Sequence, residues 1–178
     1  MRQYWVAPVG PFHATDGAAY ATSVTLTDVS PAPPIVLPAN MLEIGSEIEI
    51  YAEGQFSNTA TPTLLLGLYY GGVAGVALAA SAAVTTVTAA VAWPWQMQWR
   101  GTVRAVGTAG SIQGQGRLLM PASISQFQAP YAAPITLALR TVAVDTTVAK
   151  SITVGAQWGT SSASNTLTCT NISVQLVS

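Results

Sequence analysis

From Trp93 to Arg104 the chain alternates without a break: Trp93, Trp95, Met97, Trp99, Gly101 and Val103 on one parity, with Gln96, Gln98, Arg100, Thr102 and Arg104 on the other. Successive side chains of a strand point to opposite faces, whereas a helix brings i, i+3 and i+4 together. A period of two held this long therefore predicts a β-strand with one buried face, over about 93–106. Residues 42–53 follow the same rule: Leu42, Ile44, Ile48, Ile50 and Ala52 share one face, and Glu43, Glu47, Glu49 and Glu53 share the other.

Further strands are expected at 63–70, 112–120, 135–141, 152–158 and 166–177, separated by Gly71-Gly72, 107–110, Pro121, Pro130, Pro134 and the 159–164 run. In the last of these the phase changes. Leu167 and Cys169 lie on one parity and Ile172, Val174 and Leu176 on the other, so a bulge near Thr170-Asn171 is needed to keep a single buried face. The Ala-rich stretch 76–92 is tipped towards strands by its Val and Thr residues. About eight short-spaced strands without helical crossovers predict an all-β protein, an antiparallel jelly-roll-like β-sandwich occupying residues 41–178.

Residues 1–40 differ from the rest, with aromatics at the start and then Pro31, Pro33, Pro34 and Pro38. Proline fixes φ and removes a backbone donor, which favours an extended arm over sheet interior. Tyr4, Trp5, Val6, Val9 and Phe12 are too apolar for a solvated tail, so the arm is expected to dock on a partner or subunit surface, with the sandwich folding without it.

Only 7% of the 178 residues are charged, against roughly 25% in an ordinary domain. Thr, Ser, Asn and Gln supply the polarity instead, as suits the outer face of a sheet. Residues 54–99 contain no charge at all, yet polar residues and prolines interrupt them too often for a membrane-spanning helix. A net charge of −1 removes the repulsion that keeps copies apart, so self-association is expected, and argues against binding nucleic acid by phosphate neutralisation. No apolar run near the N-terminus suits a signal peptide, which predicts synthesis in the cytoplasm.

Chemistry has few footholds. The single histidine, His13, sits in the arm, and the single cysteine, Cys169, admits neither a disulfide framework nor a cysteine metal site. Glu47 and Glu49 are spaced as paired carboxylates can be, about 6.5 Å along one strand face, but they belong to a row of four glutamates and suit a solvated or partner-facing stripe. No enzyme, cofactor or metal is expected. The acidic stripe Glu43, Glu47, Glu49, Glu53 and the basic pair Arg100, Arg104 are candidates to meet across strands or between subunits. Trp93, Trp95 and Trp99 are either the large residues of a core or, as an alternative, a stacking platform for sugar rings.

The run Ile48-Glu49-Ile50-Tyr51-Ala52-Glu53-Gly54, then Thr61-Pro62-Thr63-Leu64, Gly71-Gly72, Trp95-Gln96-Met97, Ala156-Gln157-Trp158-Gly159-Thr160 and Ser164-Asn165-Thr166, resembles β-rich virion structural proteins of tailed bacteriophages, in particular jelly-roll capsid decoration or head-stabilising proteins. The resemblance covers about residues 40–178. It implies a non-enzymatic protein on the outer surface of the phage head, often a homotrimer, whose partners are the major capsid protein and its own copies. The alternative is a tail-associated receptor- or carbohydrate-binding module.

Overall fold

The computed structural model describes residues 6–8, 13–123, 126–127, 131–134 and 140–177. Among these residues strand dominates and helix is almost absent. In chain order the strands are β1 (Val6–Pro8), β2 (Tyr20–Ala21), β3 (Thr27–Asp28), β4 (Ile35–Leu37), β5 (Glu47–Ser57), β6 (Thr63–Tyr70), β7 (Val76–Ala80) and β8 (Val84–Thr85). They continue with β9 (Trp93–Ala105), β10 (Gly110–Leu119), β11 (Pro121–Ser123), β12 (Gln126–Phe127), β13 (Tyr131–Ala133), β14 (Thr141–Val144), β15 (Lys150–Trp158) and β16 (Thr166–Val177).

Two antiparallel sheets carry the fold. The larger runs β1-β16-β5-β9-β10-β13, with β14 also on β10 and β2 also on β16. The smaller runs β3-β15-β6-β7, with β4 also on β15 and β8 also on β6. Both contribute to one continuous core: Ile48, Ile50, Trp95, Met97 and Leu167 from the larger sheet, Leu64, Leu66, Leu68, Val154 and Trp158 from the smaller. The alternating burial along β5 and β9 is what the sequence alternation demands of a strand with one face on this core.

The register of β16 on β5 shifts between Cys169 and Asn171, and both Cys169 and Ile172 are buried. The bulge expected at Thr170-Asn171 thus keeps one face inward through the phase change. The 76–92 stretch does form strands, the short β7 and β8. In contrast, residues 42–46 are not strand. Leu42 is buried, but Ile44 is 68% exposed, because Gly45 takes a positive φ of 91° and turns the chain just before β5. Of the strand expected at 135–141, residues 135–139 lie outside the described residues, and Thr141 opens β14.

The proline-rich segment is built into both sheets. β2 pairs with Thr166 and Leu167 of β16, while β3 and β4 cover the free edge of β15. Tyr20, Val29, Ile35 and Leu37 are buried in the common core. Two- and three-residue strands at a sheet edge tolerate flanking prolines, since only the bonded side of the backbone needs its donors. The expectation that the sandwich folds independently of residues 1–40 conflicts with this packing.

Candidate functional site

Four adjacent long strands, β16-β5-β9-β10, turn their polar parity outward, and their register aligns these side chains into rows. One row reads Gln175, Glu49, Arg100, Gln115. The next reads Ser173, Tyr51, Gln98, Arg117. The rows lie two residues apart along the strands, about 6.6 Å, with neighbouring strands about 4.8 Å apart. Together they line a depression of about 500 Å³. A second depression of about 260 Å³ follows on the same face, bordered by Glu53, Gln55, Pro94 and Gln96. From Glu49 to Gln55 the furrow spans six residues of β5, about 20 Å.

Polar contacts fix much of this lining. Arg100 is paired with Glu47 and, at 3.3 Å, with Glu49, both on the adjacent strand. These carboxylates hold the guanidinium more firmly protonated than usual, the hydrogen bond to Glu47 being the leading cause. Tyr51 donates its hydroxyl to Glu53 at 2.6 Å, which ties the first depression to the second. Burial first, and then the Glu53 carboxylate, push the Tyr51 phenol up to about 12. Arg117 donates twice to the Gln98 side-chain oxygen, at 3.1 and 2.8 Å. Among the described residues no carboxylate pairs with Arg117.

The two charge stripes thus meet within one chain at Glu47, Glu49 and Arg100. Glu43 lies exposed in the turn before β5, and Arg104 lies exposed near the end of β9. Arg104 is the extra residue where the register of β9 on β10 slips, between the pairs Ala105 with Ser111 and Val103 with Ile112. Trp95 and Trp99 face the core and offer no ring to a ligand, while Trp93 is half-buried against that core. Of the arm residues, Tyr4, Trp5, Val9 and Phe12 lie outside the described residues, and Val6 opens β1 opposite Val177.

His13 makes a 2.9 Å hydrogen bond to the Pro33 carbonyl. Among the described residues no group of three or more His, Cys, Asp or Glu side chains could hold a metal ion. Cys169 is buried and its thiol is pushed up to about 12, chiefly by desolvation, so it stays protonated and unreactive at neutral pH.

Sequence reasoning did not anticipate a second feature, at the end of the sandwich where β5 begins. The loops around Ile44, Val106 and Val148 are laced together: Gly45 donates to the Val103 carbonyl, Asn40 to the Thr146 carbonyl, Gly107 to the Thr146 hydroxyl and Thr146 back to Gly107. All three apolar side chains are exposed. They sit on chain segments that the strand register brings together, which spacing along the sequence does not reveal.

No family model matches the chain, and comparison with curated proteins gives no match.

Proposed function

We propose that this chain is a non-enzymatic virion structural protein, a decoration or cement protein that acts as a homotrimer on the outer surface of a tailed-phage head and reinforces contacts between major capsid protein subunits. The observation that carries the reading is the apolar tip of Ile44, Val106 and Val148 on mutually bonded loops. Apolar side chains exposed on loops that are hydrogen-bonded to one another lose less entropy on docking than those on free loops. A charge-poor surface fits a chain that works within an assembly. The pairing of the first long strands with the last, β5 with β16 and β6 with β15, supports a jelly-roll-like wrapping, an architecture common among capsid domains.

The test is the composition and cryo-electron microscopy of intact particles. The expected result is density for this chain on the outer head surface, in threefold clusters. An Ile44→Asp, Val106→Asp double variant should keep its circular dichroism spectrum and be lost from the particles. Absence from purified particles, location on the tail alone, or undiminished decoration by the folded variant would each overturn the reading.

A further inference from the structure

We propose that the outer face of the large sheet is a binding furrow for an oligosaccharide, with an acidic sugar seated over Arg117. Its larger depression, about 500 Å³, falls in the range of roughly 300–1,000 Å³ typical of small-ligand sites. The second depression continues it along the strands, so the shape suits an extended chain rather than a compact molecule.

The lining selects the chemistry. Gln98, Gln115 and Gln175 project amides, each carrying both donors and acceptors, and a sugar hydroxyl also both donates and accepts. Tyr51 stands at the centre of the furrow with its hydroxyl anchored to Glu53. That anchor restrains the ring before any ligand arrives and leaves an aromatic surface against which the apolar face of a sugar packs. Arg117 is steadied by Gln98, yet no carboxylate neutralises it among the described residues. A ligand carboxylate would meet an oriented, uncompensated guanidinium there.

Other occupants fit less well. A protein interface concentrates apolar anchors at its centre, whereas among the described residues none of the exposed large hydrophobics, Val24, Val36, Ile44, Val91, Val106 or Val148, lines either depression. A nucleic acid carries a charge on every residue and would meet Glu47, Glu49 and Glu53 along the same strand, whereas an oligosaccharide with one acidic unit over Arg117 sets neutral rings beside them. The proposal does not depend on the capsid reading, since it rests on a different face of the molecule.

The experiment screens the full chain on an array of defined acidic and neutral oligosaccharides and titrates the hits by calorimetry. Acidic oligosaccharides should bind in preference to their neutral counterparts. Arg117→Gln should weaken acidic ligands at least tenfold and abolish the preference, while Arg104→Gln, outside the depressions, should change nothing. Tyr51→Ala should eliminate binding, and Tyr51→Phe, which keeps the ring, should retain most of it and shows whether any loss in the alanine variant reflects misfolding. Absence of binding at millimolar sugar, or binding indifferent to Arg117 and Tyr51, overturns the proposal. So does Arg117→Glu altering the oligomer mass in light scattering without any effect on sugar binding, which would assign the face to a second copy of the chain.

Discussion

Gly101 and Gly114 stand directly opposite each other on β9 and β10. The indole of Trp99 occupies the space that a β-carbon on either would need. Neither glycine has a positive φ, so the requirement is close approach and not backbone freedom. The ring bridges two strands on the inner face, directly beneath the rows that line the outer furrow.

Gly114→Ala should therefore destabilise the protein, because the new methyl meets both the Trp99 ring and, at 2.7 Å, the Arg100 carbonyl. Overpacking of this kind costs about 1–3 kcal/mol. Urea unfolding should show a lower midpoint with an unchanged slope, and the furrow should lose affinity as its floor shifts. An unaltered midpoint would mean that Trp99 relaxes freely.

Trp95 presents two opposed effects. It is fully buried and packs against Gly54, with 2.8 Å between the ring and a β-carbon built there. Its indole N–H is buried with no hydrogen-bond partner among the described residues. Trp95→Ala should cost about 3–5 kcal/mol through the cavity it leaves. Trp95→Phe should cost clearly less, since it keeps most of the ring and also removes a donor whose unsatisfied burial costs about 1–3 kcal/mol. Equal losses in the two variants, measured by denaturant unfolding, would show that neither the retained ring nor the removed donor offsets the misfit at this site.

Parity along the sequence was sufficient for the inward and outward faces of β5, β9 and β16, and even for the bulge after Cys169, because burial of one face dictates a period of two. It misled at Ile44, where the alternation runs on through a turn that Asn40 and Gly45, both with positive φ, bend away from the sheet. The furrow was invisible for a different reason. Glu49 and Arg100 were legible on separate polar faces, but only the order β5-β9-β10 and its register bring them into rows with Arg117. In residues 20–37 the prolines masked the inward pair Ile35 and Leu37, whose own alternation around exposed Val36 marks a strand.

Stability should fall as the solution becomes alkaline. Burial raises the Cys169 thiol to about 12 in the folded state, from about 8.5 in an unfolded chain. A raised folded pKa means that the unfolded chain gives up its proton first. The contribution is then complete below about pH 8.5 and is lost progressively as pH rises towards 12. Tyr51, also raised to about 12, acts in the same direction from about pH 10 upward. Unfolding midpoints measured between pH 7 and 11 should decline above pH 9, and Cys169→Ala should flatten the first part of that decline. An identical slope in the variant would place the cause elsewhere.

A chain beginning at Pro38 should fail to form the native sandwich. The deletion removes the buried side chains of Val29, Ile35 and Leu37, each worth about 1.5–3 kcal/mol when fully buried, or together roughly 5–9 kcal/mol. A domain's entire net stability is about 5–15 kcal/mol. It also removes Tyr20, whose hydroxyl donates to the carbonyls of Ser23 and Thr25, and the bond from the Val29 amide to the Val154 carbonyl. Finally it strips β3 and β4 from β15. The exposed edge of β15, with Ile152 and Val154 along it, becomes a template for pairing with other chains. The truncated chain should accordingly be insoluble or lack near-ultraviolet circular dichroism. Ile35→Ala in the full chain should remain folded but lose about 2–5 kcal/mol. A soluble truncated chain with a cooperative unfolding transition would show instead that β2, β3 and β4 decorate a sandwich already complete without them.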